Sequence, residues 1–117
     1  MKKGKKNVIS ANYLEKIPVR KTGIDWDKNE EGKVTLHIKN TGLMNKMAQK
    51  LFKKPEVSHI YLDDIGSFVW PILDGNKDII ALGELVKAEF GDKAEPLYER
   101  LAKYFQILDS YGFVEWR

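Results

Sequence analysis

Ile60-Tyr61-Leu62-Asp63-Asp64-Ile65-Gly66-Ser67-Phe68-Val69-Trp70, closed by Asp74-Gly75, is the stretch whose reading decides the fold. Val57 to Leu62 alternates as a strand, with Ile60 and Leu62 on one face and His59 and Tyr61 on the other. Asp63 or Asp64 then caps a helix, because a carboxylate accepts the free N–H groups of a first turn. Phe68, Val69, Trp70, Ile72 and Leu73 make that helix almost wholly apolar, which places it at the centre of a domain. Pro71 removes a hydrogen bond and crowds the preceding turn, so the helix either kinks there or is very short. Gly75 closes it in the left-handed conformation that glycine tolerates.

Upstream, Ile24-Asp25-Trp26-Asp27 and Lys33 to Lys39 alternate with period two around Asn29-Glu30-Glu31-Gly32, which is a hairpin signal. Val34, Leu36 and Ile38 share one face of the second strand. Tyr13, Leu14, Ile17, Pro18 and Val19 suggest an extended segment that docks on the body. Residues 1–12 are lysine-rich without apolar periodicity and read as a flexible basic tail, leaving 13–117 as a single domain. Between the second and third strands, Leu43, Met44, Met47, Ala48, Leu51 and Phe52 recur at helical spacing before Pro55, an inserted helix. Its lysines read as a solvated face or, alternatively, as a basic patch for an acidic partner.

Downstream, Asp78 can cap a helix carrying Ile79, Leu82, Leu85, Val86 and Phe90, ended by Gly91. A further helix starts near 94–96 and runs to Tyr111. Its stripe is Leu97, Leu101, Tyr104, Leu108 and Tyr111, widened by Phe105 and Ile107. Phe113 to Trp116 is a candidate last strand. Three antiparallel strands beside three helices, with a helical insertion between strands two and three, predict an α+β winged helix-turn-helix.

Length and composition bound what such a domain does. The 117 residues suit one domain with a modest core, and no cysteine is present for disulfides, thiolate metal sites or thiol nucleophiles. The basic N-terminus has no apolar segment behind it and is not a secretory signal, and no stretch is long enough to span a membrane. The expectation is a cytoplasmic protein. His37 and His59 are too few for a zinc centre of the usual donor count, so no metal or cofactor is expected. Asp63-Asp64 and Glu30-Glu31 fit a cap and a polar turn better than acid–base catalysis, and Ser67 has no histidine nearby in sequence to activate it. No phosphate-cradling glycine loop is present. The chain reads as non-enzymatic.

Charge weighs the nucleic-acid alternative. Residues 1–54 hold fourteen Lys/Arg against five Asp/Glu (+9), and residues 55–117 hold six against twelve (−6), within a net charge of +3. A recognition helix docked on DNA normally presents positive charge to phosphates. The two long helices here are net negative, which disfavours a duplex.

The run Leu62 to Trp70, with Leu73-Asp74-Gly75, Ile79 to Leu85, Phe90-Gly91 and Leu101 to Val114, resembles the pyrroloquinoline quinone biosynthesis protein D family (PqqD). Residues 57–117 match that pattern well and 24–39 loosely. The resemblance implies a winged helix that recognises the leader of a ribosomally made precursor peptide and presents it to a modifying enzyme, a radical S-adenosylmethionine protein in the namesake pathway. The leader would add as a strand to the third strand's edge, held by main-chain hydrogen bonds and selected by side-chain pockets. Carried onto this chain, the edge is Ser58, His59, Ile60 and Tyr61, and the groove wall is Leu101, Tyr104, Phe105 and Leu108. For Leu101 and Leu108 the same apolar stripe serves as core or as wall. The 40–56 insertion and Pro71 depart from the family pattern and suggest a divergent subgroup. A DNA-binding regulator and a structural subunit that uses the edge for a protein partner are the rival readings. An open edge also permits either a monomer or a homodimer.

Overall fold

The computed structural model describes residues 11–39 and 57–117. In chain order these form α1 (Ala11–Leu14), β1 (Pro18–Arg20), β2 (Asp25–Lys28), β3 (Val34–Lys39), β4 (Val57–Tyr61) and α2 (Asp64–Val69). A 3₁₀ turn (Trp70–Ile72), α3 (Ile79–Phe90), a second 3₁₀ turn (Gly91–Ala94), α4 (Leu97–Ser110) and β5 (Val114–Trp116) complete them. Of the tail expected over 1–12, residues 1–10 lie outside the described residues, as does the inserted helix expected at 43–52, whereas Ala11 and Asn12 open α1 instead of continuing a tail.

The β2–β3 hairpin closes on Asn29. Its side-chain Oδ1 accepts the Glu31 and Lys33 N–H groups, each at 2.9 Å, and Gly32 supplies the positive φ of 85° that the turn requires. The sheet runs β2-β3-β4, antiparallel throughout, with Trp26 opposite Leu36 and Leu36 opposite Ile60. Val34 and Leu36 are fully buried on its inner face, as their alternation predicts. The architecture is mixed α+β, a three-stranded antiparallel sheet with several helices.

The segment before the hairpin is not extended throughout as expected: Tyr13 and Leu14 belong to α1, and only Pro18–Arg20 forms a strand, which has a definite partner. Pro18–Arg20 pairs antiparallel with Val114–Trp116 in a separate two-stranded sheet, so the two ends of the described chain meet. Arg20 extends this contact inward. Its Nη1 donates to the Trp70 and Pro71 carbonyls at 3.1 and 2.7 Å, acceptors at the start of the 3₁₀ turn, and its guanidinium stacks over Trp26.

The alternatives at Pro71 resolve to the short helix. Asp63 is the cap, its carboxylate accepting the Gly66 N–H at 2.8 Å, and α2 ends at Val69. Pro71 then sits at the start of the 3₁₀ turn, where a missing N–H is harmless. Asp78 caps α3 in the same way, through the Ala81 N–H at 2.8 Å. Where α3 meets α4, Gly83 lies against Tyr98, and a Cβ at residue 83 would stand 2.4 Å from that ring.

Trp70, Phe105, Leu36, Leu73, Ile79, Leu82, Leu101 and Val86 are buried to within 1% of complete exclusion from water and form the centre of the core. Full burial of each large apolar side chain contributes about 1.5–3 kcal/mol. Leu85 departs from the expected stripe. It is 39% exposed, because the core-facing row of α3 is Ile79, Leu82 and Val86, at offsets of three and four, and Leu85 falls beside it.

Candidate functional site

The Leu62 N–H donates to the Val34 carbonyl at 3.0 Å, which makes Val34–Leu62 a hydrogen-bonded pair of the β3–β4 ladder. Antiparallel ladders alternate hydrogen-bonded and non-hydrogen-bonded pairs. Thr35–Tyr61, His37–His59 and Lys39–Val57 are therefore non-hydrogen-bonded pairs, and Leu36–Ile60 and Ile38–Ser58 are bonded ones. The consequence falls on the outer side of β4. Backbone N–H and C=O groups of Val57, His59 and Tyr61 point away from β3, and among the described residues no strand pairs with them. This is an edge with three successive outward donor–acceptor positions.

Ser58, Ile60 and Leu62 turn their side chains to the other periodicity, toward α4. Between them and the C-terminal half of α4 lies a groove of about 640 Å³. Ile38, Ser58, Ile60 and Leu62 form its sheet wall, with Tyr61 at the rim. Tyr104, Ile107, Leu108 and Tyr111 form its helix wall, and Phe113 closes one end. Ile60, Tyr61, Ile107 and Tyr111 are exposed large apolar side chains gathered on this one feature. Such a cluster marks an interaction surface rather than scattered surface residues.

Tyr104 supports the groove from beneath. Its hydroxyl donates to the Gly66 carbonyl at 3.0 Å, which ties α4 to α2. Burial, and secondarily the Asp63 carboxylate, raise its pKa far above the ordinary tyrosine value, so the phenol stays a neutral donor. Tyr111 stacks on Phe113 with ring centroids 5.4 Å apart, and Gly112, at a φ of 76°, turns the chain so that this pair forms.

The structure brings together Ser58, Ile60, Tyr61, Tyr104 and Leu108 of the residues expected at a site. Leu101 and Phe105 do not join them. They are 1% and 0% exposed and belong to the core, the Phe105 ring packing edge-on against Trp116 of β5 with centroids 6.1 Å apart. His59 also stands off the groove. It lies on the opposite face of the sheet, with its Nδ1 2.8 Å from His37 Nδ1.

The family model described as Coenzyme PQQ synthesis protein D (PqqD) matches residues 43–114, more than half of the sequence. The chain belongs to the PqqD family. The matched stretch holds β4, α2, α3 and α4, and so nearly the whole groove. It also takes in residues 43–56, which the sequence reading treats as an insertion, whereas the β2–β3 hairpin lies outside it. No curated protein and no solved structure matches the chain.

Sequence reasoning missed Ile38, Leu62, Ile107, Tyr111 and Phe113 of the groove in this PqqD protein. One signal was available for the helix wall. Tyr104, Ile107, Leu108 and Tyr111 follow at offsets of three, one and three, a second apolar row beside Leu97, Leu101 and Phe105. A helix apolar over so wide an arc has more than a core to cover. No local signal marked Ile38 or Phe113, which reach the groove through strand register and the turn at Gly112.

Proposed function

We propose that this PqqD-family protein is a non-catalytic peptide-binding module that holds the leader segment of a ribosomally made precursor. The supporting observation is the apolar groove of about 640 Å³ lying directly beside the outward-facing edge of β4. On this reading the leader adds as a strand to Val57, His59 and Tyr61 through its main chain. It drops every second side chain between Ile60 and Tyr104. The cargo is a segment with apolar residues at alternate positions, and the complex presents it to a modifying enzyme of the radical S-adenosylmethionine type. The family's description ties it to coenzyme PQQ synthesis, which makes a peptide-derived product of that kind the class of end point. The domain is then a winged helix-turn-helix, residues 13–117, put to use for peptide rather than duplex, in the cytoplasm. No helix among the described residues is long and apolar enough to cross a membrane.

The surface of α4 disfavours the DNA-binding alternative. It carries no net positive charge, since Glu99 and Asp109 stand exposed beside Arg100 and Lys103, and Arg100 is engaged with the Lys93 carbonyl at 2.9 Å. Among the described residues no charged side chain lines the groove.

The test uses synthetic extended peptides with apolar residues at alternate positions, against scrambled controls, with calorimetry and amide shift mapping. Binding at micromolar strength, weakly dependent on salt, with shifts gathered on residues 57–62 and 104–113, is expected. Shifts that miss both segments would remove the strand-addition site. A steep loss of DNA affinity with salt, alongside indifference to the peptides, would favour the nucleic-acid reading.

A further inference from the structure

His37 and His59 stand opposite each other in a non-hydrogen-bonded pair of β3 and β4, the register in which facing side chains approach most closely. Their Nδ1 atoms are 2.8 Å apart on the outer face of the sheet, away from the groove. The other nitrogen of His37, Nε2, lies 2.7 Å from Asp27 Oδ2. In the neutral pair Asp27 accepts the His37 Nε2–H, which leaves His37 Nδ1 with a bare lone pair aimed at His59. A carboxylate that fixes the tautomer of a histidine through its far nitrogen is the usual outer partner of a metal-ligating imidazole.

We propose that His37 and His59 form a two-nitrogen site for a divalent late transition-metal ion, with Asp27 as the outer partner of His37. Two nitrogens each about 2.1 Å from one ion stand about 3.0 Å apart at a right angle and about 3.4 Å apart at the tetrahedral angle. The existing 2.8 Å needs to open by only a few tenths of an ångström, within the reach of two side-chain torsions on exposed strands. The proton on His59 Nδ1 moves to Nε2 of the same ring, so that both Nδ1 lone pairs meet the ion. Imidazole donors suit Zn²⁺, Ni²⁺ and Cu²⁺. Among the described residues no group of three His, Cys, Asp or Glu side chains converges on one point, so within them the two imidazoles are the donors. The site is open and its affinity modest. Donor count in the sequence argued against metal. The two-strand register that makes a pair out of residues 22 apart is visible only in the fold. The bound ion would clip β4 to β3 from the face opposite the groove. This inference does not depend on the peptide reading.

The sequence makes the test clean, because these are the chain's two histidines and it has no cysteine. Untagged protein is titrated with Zn²⁺, and separately with Ni²⁺, at about pH 7.5, following both histidine ring signals by NMR and the heat by calorimetry. Expected is saturation at one ion per chain at sub-millimolar metal, with both rings shifting together. His37→Gln and His59→Gln should each abolish it, and Asp27→Asn should weaken it about 10- to 100-fold. Circular dichroism of each variant establishes that the fold is kept. Ring signals unmoved by millimolar metal in the unaltered chain would overturn the site. So would binding that survives in either histidine variant.

Discussion

The Ser67 hydroxyl accepts the Val34 N–H at 2.8 Å and donates to the Leu62 carbonyl at 3.1 Å. It thereby stands in for the missing half of the Val34–Leu62 rung, where β3 and the approach to α2 separate. The residue is 2% exposed, so no water replaces it easily. Ser67→Ala should lower stability by about 1–3 kcal/mol, the cost of leaving a buried backbone N–H without an acceptor. Urea unfolding checks this through a reduced midpoint at constant slope. An unchanged midpoint would show that the rung is dispensable. The sequence read Ser67 as no nucleophile, for lack of a partnering base, and offered no other role. That role depends on a partner 33 residues away, and nothing local to Ser67 announces it. Asp63 and Asp78 were legible for the opposite reason, since a cap is made within three residues of itself. Leu101 and Tyr104 mark the boundary of what residue type reveals. They differ by three positions on one helix, yet one packs into the core and the other lines the groove.

At the scale of elements, the hairpin, the third strand and the two long helices followed from periodicity and punctuation, because those signals are short-range. The pairing of β1 with β5 was out of reach. It joins Pro18 to Trp116, and three residues on each side give too little pattern to find a distant partner. The sense of the β4 edge was equally hidden, since alternation says which side chains share a face but not which backbone groups face outward. Register supplies that, and it separates two substitutions at one position. The Tyr61 N–H points away from β3, so Tyr61→Pro removes an outward donor and spares the ladder, as edge prolines do. Tyr61→Ala removes the 77%-exposed side chain and keeps the donor. Both variants should fold with melting temperatures close to that of the unaltered chain. Peptide affinity should fall at least about tenfold in the proline variant, in proportion to a lost main-chain hydrogen bond and a blocked approach, and less in the alanine variant. Equal losses would assign binding to the side chain alone and take strand addition out of the proposal.

Across the whole molecule, α2, α4 and the groove are held to one another by Tyr104, whose ring lines the groove while its hydroxyl reaches the Gly66 carbonyl. The sequence placed Tyr104 on the apolar stripe of this helix, but the second role of its hydroxyl required a contact 38 residues away. That contact sets an alkaline limit on stability. Burial first, and the Asp63 carboxylate second, raise the phenol's pKa above its ordinary value of 10.0. Below that value the tyrosine is protonated both folded and unfolded, and its contribution is fully present. Above it the unfolded chain releases the proton while the folded chain retains it. Stability then falls with rising pH, by about 1.4 kcal/mol per unit for one such group. Tyr13 and Tyr98 are shifted in the same direction by partial burial and nearby carboxylates, but both are less enclosed and add little. Tyr104→Phe should therefore lower stability by about 1 kcal/mol near neutrality, through the lost hydrogen bond. It should then lose less than the unaltered chain as the pH climbs, so that the gap between the two narrows and reverses. Urea midpoints measured for both proteins from about pH 8 to about pH 11 decide the matter. A gap that stays constant across that range would mean that some group other than Tyr104 governs alkaline unfolding, and that the join between α2 and α4 does not rest on a neutral phenol.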